Sequence, residues 1–380
     1  MLKLKEFILN NKDWEEKLTS SPYNLIIKKD GPYILFKYNQ LSSDFNIDLV
    51  REARGIIFRE DKWECVCHPF NKFGNYGESY CSKIDWNSVS VQEKIDGSLI
   101  KIWFDQGWHI STNGTIDAFK AELSNCDEFK SYGDLVKLAV KNAGLTLDDL
   151  FFNLSPCCTY MFELVSPYSK VVIPYDNTEL YFLGLREMLV DEELDIDKSL
   201  MCDYIKQYFK IPERYNLKTL KDVKDAADKL SWNEEGYVVC DKNFNRVKVK
   251  SPKYVKAHFI SGGVVTNERL MEIILNHEED EFLIYSSKYE STIHDLKKCM
   301  NEFKEQILVN LDYIESVNKP KDRKEFANIV NLNYPTYIRP FLFVGKERLQ
   351  QTLDKLSAKR YIEILNNYKD NYKEDKECHY

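Results

Sequence analysis

The sequence predicts an α+β protein with two domains. Residues 1–260 are predicted to form mostly antiparallel sheets with flanking helices, and residues 261–380 an all-helical domain. Up to His258, short apolar runs rich in β-branched and aromatic residues alternate with Asp-Gly and Asn-Gly turn signals, which is typical of strands. From Thr266 onward the apolar residues recur at helical spacing, and Gly262-Gly263 marks the boundary between the two patterns.

The strand pattern and the helical spacing together predict the N-terminal elements. Residues 3–18 carry apolar side chains at helical spacing, so they are predicted to be helical. Residues 23–38 predict a hairpin whose turn lies at Asp30-Gly31. A strand follows at residues 56–58, and residues 68–75 read as a loop.

A second hairpin is predicted around Lys94. The apolar approach before Glu93 and the run at residues 99–103 read as two strands, and Asp96-Gly97 lies between them as a tight turn. Such a turn holds one lysine amine in a fixed place, and glycine allows a ligand to approach the backbone closely. Taken alone, Lys-x-Asp-Gly is also compatible with a lysine on a surface hairpin.

The remaining elements alternate before the boundary and are helical after it. In chain order they are a strand at 108–112, a helical stretch at 117–150, strands at 159–165 and 180–185, helices within 199–230, strands at 236–240 and 246–250, and helices at 289–314 and 346–367.

Composition bounds the classes of function. The chain has 380 residues, of which 43% are hydrophobic and 30% charged, and it contains no apolar run long enough to cross a membrane. We therefore expect a soluble protein that works in a cytoplasm, without a membrane partner. The net charge of −8 counts against a uniformly basic nucleic-acid binder, but phosphate contacts need only a local basic patch.

Several charged residues interrupt strands that otherwise read as core. Glu163 lies within an apolar strand, and Glu235 directly precedes another. Lys248 and Lys250 alternate with valines and therefore share one face of their strand. That face borders either solvent or an anion, and for each residue taken singly solvent is the simpler interpretation.

Taken in order, these segments resemble the ATP-dependent RNA ligases, and most closely the RNA ligase 1 family of bacteriophages. The segments that carry the resemblance are Leu35-Phe36-Lys37-Tyr38-Asn39, Arg54-Gly55, Lys72-Phe73-Gly74-Asn75, Lys94-Ile95-Asp96-Gly97-Ser98, Phe162-Glu163-Leu164-Val165, Glu235-Gly236-Tyr237-Val238 and Lys248-Val249-Lys250 with Tyr254. Two positions depart from the family pattern, since Gly74 replaces a second aromatic residue and Asn113 replaces a basic one.

The resemblance implies a lysine nucleophile, Lys94, that attacks ATP, releases pyrophosphate and carries AMP as a phosphoramidate. The AMP then moves to an RNA 5′-phosphate, and an RNA 3′-hydroxyl displaces it to seal the strand. A free lysine has a pKa of about 10.4 and is protonated at neutral pH, and nearby cations lower that pKa. Lys248, Lys250 and Mg²⁺ are such cations.

The resemblance also implies roles for further residues. The candidate nucleotide-binding residues are Tyr38, Arg54, Lys72, Glu93, Gly97, Glu163, Lys248 and Lys250. Glu235 and Asp280 are candidate metal ligands, and Tyr254 is a candidate RNA contact or structural support. The roles of Glu163 and Glu235 could be exchanged, Glu93 could instead be a solvated neighbour, and Asp280 could instead belong to an exposed acidic turn.

The implied cofactors are ATP and Mg²⁺ or Mn²⁺. The implied partner is RNA with 5′-phosphate and 3′-hydroxyl ends, such as a broken transfer RNA, and the enzyme is expected to be a monomer in the cytoplasm of a host cell if a phage encodes it. DNA ligases and messenger-RNA capping enzymes share Lys-x-Asp-Gly, but they usually place a small β-barrel after the last lysine motif, whereas the chain after Lys250 has a helical period. A catalytically silent RNA-binding protein on the same fold is the remaining alternative.

Overall fold

The computed structural model describes residues 2–40, 42–123, 126–169, 171–199, 202–259 and 265–377. The chain divides into two compact units, Met1–His258 and Phe259–Tyr380. Among the residues that the structure describes, every strand lies in the first unit and the second unit is helical, so the predicted α+β class is confirmed. In the described ranges we find no helix that is both long enough and apolar enough to cross a membrane.

The strands are numbered in chain order. They are β1 Ile26–Asp30, β2 Tyr33–Lys37, β3 Arg54–Arg59, β4 Glu64–Cys67, β5 Ser90–Glu93, β6 Ser98–Phe104, β7 Trp108–Thr112, β8 Cys158–Val165, β9 Glu179–Glu187, β10 Glu192–Leu194, β11 Arg214–Tyr215, β12 Gly236–Cys240 and β13 Arg246–Lys250.

The helices are numbered in the same way. They are α1 Lys3–Asn10, α2 Trp14–Thr19, α3 Asp48–Glu52, α4 Tyr132–Asn142, α5 Leu147–Phe152, α6 Asp203–Tyr208, α7 Leu220–Ala227, α8 Pro252–Phe259, α9 Asn267–Leu275, α10 Glu279–Tyr285, α11 Glu290–Tyr313, α12 Arg323–Asn333, α13 Arg339–Val344, α14 Lys346–Leu353 and α15 Ala358–Glu377.

Within the described ranges the strands form three antiparallel sheets. Sheet one has the order β1-β2-β3-β4, sheet two β11-β5-β12-β13 and sheet three β10-β9-β8-β6-β7. The predicted hairpin at Asp30-Gly31 is confirmed, with Asp30 paired to Tyr33 and Gly31 at a φ of 58°. The predicted strand pair formed by β12 and β13 is also confirmed.

The predicted hairpin around Lys94 is wrong. Strands β5 and β6 do not pair, because β5 lies between β11 and β12 in sheet two and β6 lies between β8 and β7 in sheet three. At Asp96-Gly97 the chain does not turn back on itself but crosses from sheet two to sheet three. Long-range pairing thus replaces the local turn that the sequence indicates.

Each sheet has an apolar side covered by other elements. One face of sheet one packs against α1, α2 and α3 through a cluster that includes Leu4, Leu18, Phe36 and Phe58. Sheet three packs against α4 and α5, and the capping box formed by Ser131 begins α4.

The second unit is built around α11. Its buried side chains recur at helical spacing, as the sequence predicts, and include Ile293, Leu296, Phe303 and Ile307. The predicted single helix at 346–367 is wrong, since it is divided into α14 and α15. Ser357 caps the second helix by accepting a hydrogen bond from the Arg360 amide (3.3 Å).

Candidate active site

Lys94 lies where the chain leaves β5 and passes to β6. Its backbone amide donates a hydrogen bond to the carbonyl of Gly236 on β12 (2.8 Å), so its main chain still belongs to sheet two. Its side chain is 19% exposed and its Nζ lies 2.7 Å from Oε2 of Glu235. The lysine is therefore fixed at its backbone and partly withdrawn from solvent.

The turn after Lys94 is anchored by Asp96. Its carboxylate accepts hydrogen bonds from the amides of Val172 (2.9 Å) and Ile173 (2.8 Å) and from the Tyr254 hydroxyl (3.0 Å). Tyr254, predicted as an RNA contact or a support, is 2% exposed and lies against this anchor. Gly97 packs so tightly on β8 that a Cβ atom there would lie 2.4 Å from the Leu164 carbonyl oxygen. The glycine is required at this position because the backbones approach closely.

Glu235 is shared by two lysines. Its Oε2 pairs with Lys94, and its Oε1 lies 3.4 Å from Nζ of Lys250 on β13. The carboxylate is buried, with 4% of the residue exposed. The structure thus brings together three of the residues that the sequence predicted, Lys94, Glu235 and Lys250.

Lys248 lies at the centre of a group of cations. Its Nζ is 5.1 Å from the centre of the Phe73 ring, and the guanidinium of Arg54 lies 5.3 Å from the same ring. Burial lowers the pKa of Lys248 well below its ordinary value, and the charges of Lys72, Lys94, Lys250 and Arg54 lower it further. Such a group of positive charges is unfavourable by itself and favours a bound anion.

Lys72 and Tyr38 form a second part of the site. The Lys72 amine lies 4.7 Å from the ring centre of Tyr38 and 4.3 Å from that of Phe45, and it donates a hydrogen bond to Gln40 (3.2 Å). Burial raises the pKa of the Tyr38 hydroxyl, but the charges of Lys72, Arg54 and Lys37 outweigh it, so the pKa lies below its usual range.

The structure gives a physical account of Gly74. A Cβ atom at this position would lie 3.1 Å from Cε2 of Tyr80 and 3.0 Å from a carboxylate oxygen of Glu78. The space that a second aromatic side chain would enter is therefore occupied by Tyr80. Residues 74–76 also hydrogen-bond to the main chain of Lys248, which holds this loop against β13.

Glu163 projects from β8 towards these cations. Burial raises its pKa to about 7, although the charges of Lys94 and Arg54 act in the opposite direction. Glu93 is half-buried beside the same pocket, and burial raises the pKa of its carboxyl. Glu163 and Glu93 both remain candidates for contacts with a nucleotide.

A pocket is enclosed by these residues. Its lining includes Arg54, Phe73, Glu93, Lys94, Glu163 and Lys248. Its volume is about 90 Å³, below the ~300–1,000 Å³ that small-molecule sites usually offer. The enclosed space by itself is therefore smaller than a usual small-molecule site.

Comparison with known proteins decides the family. A sequence model described as RNA ligase matches residues 52–254, which contain Arg54, Lys94, Glu163, Glu235 and both lysines of β13. The chain belongs to the RNA ligase family. The predicted resemblance to the RNA ligase family is confirmed.

Two curated relatives illustrate the extent of the match. The chain is 24% identical to an RNA ligase of Rhodothermus phage RM378, over 88% of this chain and 91% of that one. It is 28% identical to a protein of Autographa californica nuclear polyhedrosis virus named "Putative bifunctional polynucleotide kinase/RNA ligase", over 73% of this chain. The match spans only 41% of the length of that viral protein. Among solved structures, an archaeal ATP-dependent RNA ligase aligns over 87% of this chain and 89% of its own, with 14% identity and a TM-score of 0.46.

The pocket also contains one residue that the sequence analysis missed. Arg246 on β13 lines the pocket, stacks on Phe70 at 4.2 Å and pairs with Glu193 at 2.6 Å. The signal was present, since Arg246 alternates with Lys248 and Lys250 on one face of β13.

Lys101 is a second missed residue. It is fully buried on β6, donates a hydrogen bond to the Gly55 carbonyl next to Arg54, and burial lowers its pKa to about 8. The criterion that singled out Glu163, a charge inside an apolar strand, applies equally to Lys101.

Asp280 is placed in the second unit of the ligase, on α10. It lines a groove with Glu279, Glu290 and His294. In the parts of the chain that the structure describes, no group of three His, Cys, Asp or Glu side chains is arranged to hold a metal ion. A metal role for Asp280 stays a prediction.

Proposed function

We propose that the chain uses ATP to join an RNA 5′-phosphate to an RNA 3′-hydroxyl, with Lys94 as the nucleophile. The observation that carries the proposal is the position of the Lys94 amine, which shares Glu235 with Lys250 at the edge of a pocket that Arg54, Glu163 and Lys248 also line. The cations beside the amine stabilise the negative charge of a triphosphate and so hold its phosphates next to the nucleophile.

In the first step the neutral amine of Lys94 attacks the α-phosphorus of ATP. A nitrogen–phosphorus bond forms, the bond between the α-phosphorus and its bridging oxygen breaks, and pyrophosphate leaves with the electron pair. The attacking nitrogen loses one proton to solvent. Lys248, Lys250, Arg54 and Lys72 are the groups available to hold the phosphates as charge builds on the leaving group. Glu163 accepts a hydrogen bond from a ribose hydroxyl, and Tyr38 contacts the nucleotide from sheet one.

In the second step an oxygen of the RNA 5′-phosphate attacks the phosphorus carried by Lys94. The nitrogen–phosphorus bond breaks, and the nitrogen takes up one proton, which regenerates the lysine amine. In the third step the 3′-hydroxyl of the other RNA end attacks the activated 5′-phosphate, its proton is released and AMP leaves. Lys94 is thus needed chemically for the first two steps only.

The donor set fits a magnesium ion that arrives with the nucleotide. Mg²⁺ is usually held by one or two carboxylates together with substrate phosphates and water, not by a cage of protein ligands. Glu235 would supply that carboxylate, and the ion would add positive charge beside the phosphates. Both carboxylate oxygens of Glu235 face lysines. A metal ion held by Glu235 would therefore replace its ion pair with Lys94.

The RNA class is proposed from the resemblance alone: a broken transfer RNA, acted on by a monomer in the cytoplasm of a host cell. The helical unit is the candidate for its recognition. An exposed basic turn at Lys321, Arg323 and Lys324 begins α12 and could contact phosphates.

Label transfer tests the proposed function. With [α-³²P]ATP and Mg²⁺, the full chain is expected to become radiolabelled, and to circularise a 5′-phosphorylated single-stranded RNA. Lys94→Ala is expected to lose both activities, whereas Lys242→Ala, a change at an exposed lysine, keeps them. Label on Lys94→Ala, or labelling by [α-³²P]GTP in preference to ATP, would overturn the proposal.

A further inference from the structure

A second groove adjoins the nucleotide pocket. The two spaces share Arg54 and Glu163, and the groove, of about 660 Å³, continues past the backbone of Gly97–Leu99 and the turn at Thr112–Thr115. Its charged lining includes Lys28 and Lys37 from sheet one. Neither lysine takes part in the nucleotide pocket itself.

The basic side chains of the groove form a stripe across sheet one. Lys37 on β2 is paired directly with Arg54 on β3. On its other side Lys37 is paired with Ile26 on β1. Lys28 follows Ile26 by two residues on β1 and therefore lies on the same face of the sheet. Like charges directly opposite each other on neighbouring strands destabilise a sheet. An arrangement that keeps Lys37 opposite Arg54 therefore favours a negatively charged ligand between them.

Two further observations point to a ligand. In the described part of the chain, the buried Nη1 atom of Arg54 has no hydrogen-bond partner. The amine of Lys37 lies over the turn at Thr112–Thr115, where it is 3.3 Å from the position of a Cβ on Gly114.

We propose that this groove binds backbone phosphates of the RNA end, with Lys37 and Lys28 leading from Arg54 towards the surface. The proposal rests on the proposed function, because it assigns the RNA path to the reactive phosphorus. Lys120 contributes less charge, since it pairs with Asp30 at 2.6 Å. Lys28 is exposed, so the stripe of basic side chains extends beyond the pocket. An RNA strand carries phosphates along its whole length and needs such an extended stripe, whereas the three phosphates of ATP do not.

The experiment measures RNA binding and nucleotide transfer separately. Lys37→Gln and Lys28→Gln are compared with Lys62→Gln, an exposed lysine in the turn at the other end of sheet one. A 5′-phosphorylated single-stranded RNA without ATP is the binding probe. We expect Lys37→Gln to weaken binding roughly fivefold to tenfold and to reduce the slope of log affinity against log salt by about 1. The formation of the lysyl–AMP adduct is expected to stay within twofold of the unchanged chain.

Two results would overturn the proposal. If Lys37→Gln raises the ATP concentration needed for adduct formation and leaves RNA binding unchanged, the groove serves the phosphates of ATP. If neither quantity changes relative to Lys62→Gln, the groove binds no phosphate. Thermal unfolding of each variant checks that it is folded. Because the binding assay needs no chemistry at Lys94, failure of the proposed function, seen as label on Lys94→Ala, is distinguishable from failure of this proposal.

Discussion

The amine of Lys94 lies 2.7 Å from the carboxylate of Glu235, and the other oxygen of that carboxylate lies 3.4 Å from Lys250. An ion pair of this kind holds the amine against the carboxylate, so the amine must leave Glu235 before it can attack a phosphorus atom. Glu235 therefore controls when the Lys94 amine is available to react.

Replacing Glu235 with glutamine tests this control. Glu235→Gln removes the negative charge shared by the two lysines and the carboxylate available to a metal ion. We expect the rate of lysyl–AMP formation at saturating ATP and Mg²⁺ to fall by about 100-fold or more, in the range seen when one electrostatic group is removed from an active site. Glu234→Gln, a change at the exposed neighbouring residue, is the control. Equal rates for the two variants would contradict a role for Glu235.

Lys248 predicts proton uptake on binding of an anion. Burial and the adjacent cations hold the pKa of Lys248 well below its ordinary value, and a bound pyrophosphate raises that pKa. A proton is therefore taken up from solution at pH values between the free and the bound pKa. Calorimetric titration with pyrophosphate in two buffers of different ionisation enthalpy measures this uptake. Lys248→Met is expected to reduce the proton uptake, and Lys242→Met is expected to leave it unchanged. The same uptake in the unchanged chain and in both variants would exclude Lys248 as its source.

Glu163 predicts a pH dependence of stability. Its pKa is about 7 in the folded chain against 4.5 when solvated, so the folded state binds the proton more tightly. The protonated carboxyl stabilises the folded state fully below pH 4.5. This contribution to the free energy of unfolding, up to about 3 kcal/mol, is lost as the pH rises from 4.5 to about 7. Glu163→Gln lacks this titration. The free energy of unfolding of the unchanged chain relative to Glu163→Gln should therefore decrease from pH 4.5 to 7 and be constant above it. A constant difference throughout would mean that the Glu163 carboxyl is not desolvated.

The anchor at Asp96 predicts graded losses of stability. Tyr254→Phe removes one hydrogen bond to a carboxylate and should lower the free energy of unfolding by about 1.5–3 kcal/mol. Asp96→Ala also leaves the amides of Val172 and Ile173 without their acceptor, so its loss should be larger. Urea unfolding followed by tryptophan fluorescence measures the first unit alone, because all six tryptophans lie before residue 259. A smaller loss for Asp96→Ala than for Tyr254→Phe would contradict the anchor.

The sequence predicts the local features of the fold better than the long-range ones. The hairpin at Asp30-Gly31 and the helix α11 follow from patterns that neighbouring residues determine, and both are confirmed. The hairpin around Lys94 is wrong because β5 pairs with β11 and β12, whereas β6 pairs with β7 and β8. Strands β8, β11 and β12 lie far along the chain, and no local pattern indicates their pairing.

The candidate site shows the same limit. The motif residues of the first unit were predicted from their order, and several of them meet in the structure. Lys37 was quoted only as part of a motif, and its position opposite Arg54 depends on strand register. Arg246 and Lys101 could have been found by alternation and by a charge within an apolar strand, respectively. Their partners, Glu193 and Gly55, could not, because they belong to other sheets.

The passage of the chain from sheet two to sheet three has a mechanical consequence. Lys94 is attached at this crossing, whereas Glu163 belongs to one sheet and Lys248 and Lys250 belong to the other. If the two sheets rotate apart to admit a nucleotide, the nucleophile lies near the axis of that rotation and moves least. The cleft can thus widen and narrow around successive substrates while the atom that carries the adenylate keeps its place.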